Sequence, residues 1–351
     1  MRICIYTNRS LDPMHPRLEA TLRILDAKGF DYEFIKPRKH FLGSKINWLS
    51  LWLFDYYTSF TTRKLLAGYD IVFLQDLRFL HIAKYAKKLG KNVVYETIDN
   101  NVHLRLHDLK KKIPLIKPFL GILSQHFVAK EKSLAFNYCD KIAVNSKALQ
   151  DYFDGKCELI HYSSPLELFH INNDPEKTPA LLYLGAFTED KGAFEILDLQ
   201  NNLTVDLYII GTVFSNEIKK RIKQSPQIKH YQRVGQAKLG EIVKSLVHNY
   251  FLIGISLIKP VNYSYATQEA NKDIDYLALG IPIIGNYREP TKEKILAGCG
   301  VFIDDKQGIN LILYDTNYRK ALTTRCKDYY ANNYSNQYFE LKMANIFRTN
   351  D

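Results

Sequence analysis

The stretch Asn271-Lys-Asp-Ile-Asp-Tyr-Leu-Ala-Leu-Gly-Ile-Pro-Ile-Ile284 carries the most information in this chain. It reads as a short helix that ends at Gly280 and runs, through Pro282, into a buried strand beginning at Ile283-Ile284. Glycine suits a helix C-terminus and proline cannot continue a helix. Paired β-branched residues suit a strand covered on both faces. Lys272, Asp275 and Tyr276 are three and four residues apart and share one helix face near its start. A cation, a carboxylate and free backbone N–H groups at one helix N-terminus can hold a phosphorylated ligand, with Asp275 accepting from sugar hydroxyls.

Working outward, short strand-like runs alternate with helical ones along all 351 residues. Strands are expected at Arg2–Tyr6, Tyr32–Ile35, Ile71–Leu74, Val93–Tyr95, Lys141–Val144 and Leu159–His161. A second series follows at Ala180–Leu184, Val205–Ile210, Tyr250–Ile255, Ile281–Ile284 and Val301–Ile303. Helices are expected at Arg17–Lys28, His81–Leu89, Lys130–Asn137 and Leu239–Val247, and an amphipathic one at about 336–347. Such alternation argues for α/β architecture with parallel sheets covered on both faces. The two series are separated by a proline-containing polar stretch at 163–179, which reads as a linker.

Composition narrows the class. No run of about 18 apolar residues occurs, so no membrane span is expected. The first residues form a strand, with no secretory leader pattern. Five scattered cysteines without C-x-x-C spacing read as reduced thiols, with no zinc site. Positive charge is uneven: residues 1–168 hold 26 Lys and Arg against 17 Asp and Glu, whereas 169–351 hold 22 against 20. The excess gathers at Lys36, Arg38, Lys39 and Lys45, at Lys84, Lys87, Lys88 and Lys91, and at Lys110, Lys111, Lys112 and Lys117. A basic half suits an anionic partner such as phospholipid, a lipid diphosphate or nucleic acid. The aromatic segment 46–60, with both tryptophans, reads either as a core helix or as one resting on an anionic bilayer. The basic clusters match no nucleic-acid-binding module. No G-x-G-x-x-G follows the first strand, against a Rossmann dehydrogenase, and no phosphate-binding P-loop is present.

The opening stretch resembles Pro-Asn-Lys-x-x-Glu-Tyr-x-Ala-x-Gly-x-Pro of GT-B glycosyltransferases, family 4-like, of the kind that build bacterial surface polysaccharides. Ala270 stands for the proline and Asp275 for the glutamate. Further stretches resemble the same family in the same order. Asp12-Pro-Met-His-Pro-Arg17 resembles its opening, and Glu131-Lys through Asp140 to Ser146 its helix, turn and strand. Leu184-Gly-Ala-Phe-Thr-Glu-Asp-Lys-Gly192 resembles its diphosphate loop, with Ala186 where the arginine stands, so Lys272 or Lys259 would have to compensate. Ile210-Gly-Thr212 closes a strand as the family does. In Tyr95-Glu-Thr-Ile-Asp-Asn100, Ile98 replaces the family's histidine. Counting eight back from Asp275 gives Thr267, so the first glutamate of the family's pair is absent and Glu269 lies off register.

The resemblance implies two doubly wound Rossmann-like domains with a cleft between them: an acceptor-binding domain over 1–168, a nucleotide-sugar donor domain over 169–335, and a helix over 336–351 returning to the first. It implies sugar transfer from a nucleoside-diphosphate sugar to an acceptor hydroxyl, that of a lipid-linked saccharide, with retention favoured over inversion. No metal and no cofactor is expected beyond the donor. Gly185, Lys191, Gly211, Asn271, Lys272, Asp275 and Tyr276 would bind the donor. Asp99, Glu96 and Lys191 would serve catalysis, and Arg17 and His103 the acceptor side. The expected location is cytoplasmic, peripheral on the inner face of the membrane. Two other readings stay open: a sugar-nucleotide epimerase, and a non-catalytic GT-B partner subunit, the latter because the arginine, histidine and first glutamate are missing.

Overall fold

The computed structural model describes residues 1–7, 11, 12, 14–35, 65–112 and 114–348. The cluster Lys36 to Lys45 and the segment 46–60 lie outside the described residues, as do the side chains of Lys111 and Lys112. Twelve strands are described: β1 Arg2–Tyr6, β2 Asp31–Phe34, β3 Ile71–Leu74, β4 Asn92–Thr97, β5 Lys141–Val144, β6 Glu158–Leu159, β7 Thr178–Leu184, β8 Asp206–Ile210, β9 Ile228–Tyr231, β10 Tyr250–Ser256, β11 Ile283–Gly285 and β12 Gly300–Phe302. They form two six-stranded sheets, ordered β2-β1-β3-β4-β5-β6 and β12-β11-β10-β7-β8-β9. Every pairing is parallel.

Strand alternation builds both faces of each sheet. In the first, Ile3, Ile5, Ile71 and Phe73 pack against Leu18 and Leu25 of helix Pro16–Ala27, while Cys4, Tyr6, Val72 and Leu74 face the opposite core. In the second, Leu182, Leu184 and Tyr208 face one way, and Leu181, Tyr183 and Leu207 the other. Helix Asn336–Ile346 lies on the first sheet's helix Pro16–Ala27, where Phe339, Met343 and Ile346 join its core and Phe347 meets Phe73 edge-on at 5.1 Å.

The stretch between the sheets is no loose tether. Ser163 and Ser164 are buried: Ser163 Oγ meets Tyr330 OH (3.2 Å), and Ser164 Oγ donates to Asp275 Oδ1 (2.6 Å). The sixth strand also stops short of expectation, at Leu159. His161, expected in that strand, instead turns its Nδ1 to Glu269 Oε2 at 2.9 Å.

Candidate functional site

In an open parallel sheet, ligands gather beyond the carboxyl ends of strands where the winding reverses. In the second sheet that point lies between β7 and β10, which are neighbours though far apart in sequence. Three chain segments converge there. The exit of β7 runs through Gly185 and Ala186 into a short 3-10 turn Glu189–Lys191 and helix Ala193–Leu203. The exit of β10 supplies Leu257. Helix Asn271–Ala278 presents its N-terminus.

Two glycines make this convergence possible. A Cβ on Gly211, at the exit of β8, would sit 1.8 Å from the carbonyl oxygen of Gly185. Gly192 adopts φ +78°, and a Cβ there would meet the Leu257 carbonyl at 2.5 Å. Both backbones therefore approach closer than any side chain allows.

Helix Asn271–Ala278 is seated by Tyr276. Its hydroxyl donates to Leu182 O and accepts from Leu184 N, both at 3.0 Å, and its ring fills the space that a side chain on Gly254 would take. The helix closes as expected, with Ile281 N–H reaching back to Tyr276 C=O at 2.8 Å. Tyr276 thus anchors the helix to β7. Asp275, on the same face, is buried and accepts from Ser164 Oγ and from Tyr162 OH (3.2 Å); burial pushes its carboxyl up to about 7, against the lowering effect of those two bonds. Asn271 is half-buried at the helix start.

Lys272 is the most informative side chain. It is buried, its ammonium has no hydrogen-bond partner among the described residues, and Nζ lies 4.0 Å from the centre of the Tyr183 ring. Burial drives its pKa down to about 7; Asp273 opposes that, while the positive charges of Lys191 and Arg288 add to it. Lys191 is half-buried and also shifted down by burial, with Asp99 opposing. Two crowded ammonium groups with depressed pKa make a site that an anion stabilises.

The first sheet's domain closes the other side of the cleft. Asp99, just past β4, accepts from Gln268 Nε2 at 2.5 Å, a bond between residues 169 apart in sequence. His103 stands on helix Asn101–Lys112, with Nδ1 2.7 Å from Asn100 Oδ1 and Nε2 3.4 Å from Ser124 Oγ. Its ring is 5.1 Å from that of Tyr263 across the cleft, and burial lowers its pKa. Asp99 thus lies within electrostatic reach of Lys191, and Lys191 of Lys272, while His103 stands beside Asn100, the residue after Asp99.

Two expected site residues go elsewhere. Glu96, expected at the cleft, is fully buried: Oε1 is paired with Arg17 Nε at 2.7 Å and Oε2 accepts from Gln75 Nε2 at 2.8 Å. Arg17, expected on the acceptor side, is equally buried, its guanidinium 5.4 Å from the Phe339 ring. Paired in the interior, the carboxylate and the guanidinium each offset part of the other's desolvation cost. Glu131 is likewise buried, held by Tyr95 OH (2.7 Å) and Tyr152 OH (2.6 Å), and Ser146 caps helix Lys147–Tyr152. Lys259 is paired with Glu195 at 2.7 Å, so its charge is already engaged.

Two groups that the sequence gives no role, Arg288 and the off-register Glu269, support this region. Arg288 binds the Gln268 carbonyl and Thr291 Oγ1 (2.8 Å), with Asp273 Oδ2 at 3.5 Å. Glu269 is buried among Lys294 Nζ (3.2 Å), His161 and Tyr334 OH (2.7 Å). Burial alone would raise its pKa; Lys294, then His161 and Tyr334, overcome that and hold it at about 2. Together these residues brace the 268–271 segment that leads into helix Asn271–Ala278. Among the described residues no group of three or more His, Cys, Asp or Glu is placed to hold a metal ion, and no helix is long and apolar enough to cross a membrane.

No protein-family model and no curated protein sequence matches the chain. Solved structures do. The Anabaena protein HepE, determined with UDP and glucose, superposes with a TM-score of 0.67 at 13% identity over 98% of each chain. A trehalose-6-phosphate synthase, studied for glycosyl transfer with retention, superposes at 0.62 with 11% identity over 99% of each. The calicheamicin glycosyltransferase CalG4 superposes at 0.53 with 11% identity over the whole of both chains. At such identities the likeness speaks for architecture, and with its two parallel Rossmann-like sheets the chain has the GT-B fold of these glycosyltransferases.

Proposed function

We propose that the protein is a glycosyltransferase that moves a sugar from a nucleoside diphosphate to an acceptor hydroxyl, and that the acceptor is a lipid-linked saccharide in cell-surface polysaccharide synthesis. The observation that carries this reading is Lys272: a buried ammonium without a hydrogen-bond partner among the described residues, near Lys191, at a helix N-terminus and a topological switch point.

As the glycosidic bond to the diphosphate breaks, negative charge grows on the departing phosphate oxygens. Lys191, Lys272 and the helix N-terminus are fixed before reaction and stabilise that charge without reorganising. No divalent ion is required for this step in the reading. Asp99, across the cleft, orients the acceptor hydroxyl, with His103 beside it. Asp275 and Asn271 are assigned to the donor's ribose side, and Tyr276 to holding their helix in place. Retention is favoured by the likeness to a retaining synthase. The surplus of Lys and Arg in residues 1–168 supports work at an anionic cytoplasmic membrane face.

A thermal-shift panel of UDP, GDP, dTDP, CMP and ADP tests the donor site, since a ligand bound only by the folded state raises its stability. One nucleotide should stabilise the wild type, and Lys191→Ala and Asp275→Ala should each lose that response. Variants that respond like wild type contradict the assignment.

A further inference from the structure

The surface beside His103 carries a feature that donor chemistry does not use. Helix Asn101–Lys112 is followed by a 3-10 turn Pro114–Phe119 and helix Leu120–Tyr138. At that junction Leu115 is 87% exposed, Phe119 59% and Ile122 69%. Three large apolar side chains within eight residues, none packed into the cores that the described residues form, make an apolar knuckle. The sequence around them is one-signed: from Leu109 to Lys130 there are five lysines and no Asp or Glu. Lys110 and Lys117 are exposed beside the knuckle.

We infer that this knuckle, Leu115, Phe119 and Ile122 with Lys110 and Lys117, docks the protein on an anionic lipid bilayer. The apolar tips enter the acyl boundary and the lysines meet the headgroup phosphates, the pairing of forces that holds interfacial segments on membranes. A neutral bilayer would satisfy only the first of these, and an acidic protein surface only the second. The position also fits. Ser124, two residues beyond Ile122, reaches His103 at 3.4 Å, and His103 faces Tyr263 across the cleft. Docking would therefore place the helix that touches His103 at the lipid surface, on the acceptor side of the cleft. That last consequence rests on the proposed function; docking itself does not.

The test is sedimentation with vesicles of phosphatidylcholine alone or with one third phosphatidylglycerol, for wild type and the double variant Phe119→Glu/Ile122→Glu. Both proteins are also checked by circular dichroism and by the nucleotide thermal shift. Wild type should partition onto the anionic vesicles, more weakly at high salt, and the variant should lose partitioning roughly tenfold with its fold and nucleotide response unchanged. Lys110→Glu/Lys117→Glu should weaken binding to anionic vesicles and leave neutral ones unaffected. Equal sedimentation of wild type and Phe119→Glu/Ile122→Glu overturns the inference. So does a wild type that ignores vesicles but dimerises through the patch, a result that assigns the knuckle to a second copy. Vesicle binding that persists in a protein that binds no nucleotide sinks the proposed function and leaves the docking surface standing.

Discussion

Lys272 should make donor binding depend on pH in a calculable way. Its ammonium is desolvated, and Lys191 and Arg288 push its pKa lower still, to about 7. A bound diphosphate places negative charge beside it and raises that value, so binding takes up a proton. The sign follows: only the protonated lysine attracts the anion, and affinity falls as pH rises through the free protein's pKa. With a pKa of about 7, roughly three quarters of the molecules are protonated at pH 6.5 and about one in eleven at pH 8. The dissociation constant should therefore weaken about eightfold over that range, with uptake of about 0.9 proton per ligand at pH 8. Isothermal titration in HEPES and in Tris, which differ in ionisation enthalpy, reads both quantities. Lys272→Met keeps the side chain's bulk, removes the charge, and shares any titration of the ligand itself. It should bind weakly and without the extra proton. An affinity that stays within twofold across the range, with no difference in proton uptake between wild type and Lys272→Met, refutes the reasoning.

Four further outcomes are expected. Lys294→Met strands the Glu269 carboxylate in a buried site and should cost about 3–5 kcal/mol in urea denaturation; a loss under about 1 kcal/mol would show that Glu269 finds water or another partner. Gly211→Ala drives a methyl into the Gly185 carbonyl and should destabilise by more than about 3 kcal/mol or abolish folding, whereas a near-native melting temperature would mean that the β7 and β8 exits can separate. Asp275, raised from 3.8 to about 7, contributes stability that is complete below about pH 4 and is lost as pH rises through 7. Asp275→Asn should then be more stable than wild type at pH 8, by at most ~4 kcal/mol, with the advantage shrinking by pH 5; an advantage independent of pH counts against the cause given. Asp99→Asn should lower turnover roughly 100-fold and leave nucleotide affinity within about threefold; equal losses in both would place Asp99 in donor binding instead.

Legibility in the sequence followed the range of the physics. Strands such as Ile71–Leu74 and Tyr250–Ser256 are apolar runs bounded by polar residues, and their character is local. Ile228–Tyr231 was missed because Ile-Lys-His-Tyr is a half-exposed edge strand, whose lysine and histidine hide the pattern. Only the second half of helix Leu120–Tyr138 was expected, since Gly121 and the exposed Ile122 blur its apolar face. Lys191 and Lys272 each sit in a stretch that is recognisable locally, which is why the sequence draws attention to them. Their crowding is not legible there, nor is the reach of Asp99 to Gln268, which only the closed fold supplies. Glu96 illustrates the converse. A strand-end carboxylate looks available until Arg17, 79 residues away, is folded against it. Charges fixed by distant partners, Glu269 with His161 and Arg288 with Asp273 among them, leave no local trace.

The position of a donor's diphosphate decides between these readings. A crystal structure with the nucleoside diphosphate that most raises the melting temperature measures this directly. Phosphate oxygens are expected within hydrogen-bond distance of Lys272 Nζ and Lys191 Nζ, beside the N-terminus of helix Asn271–Ala278 and the loop at Gly185. A diphosphate bound elsewhere, with the Lys272 ammonium still against the Tyr183 ring and unpartnered, contradicts that expectation.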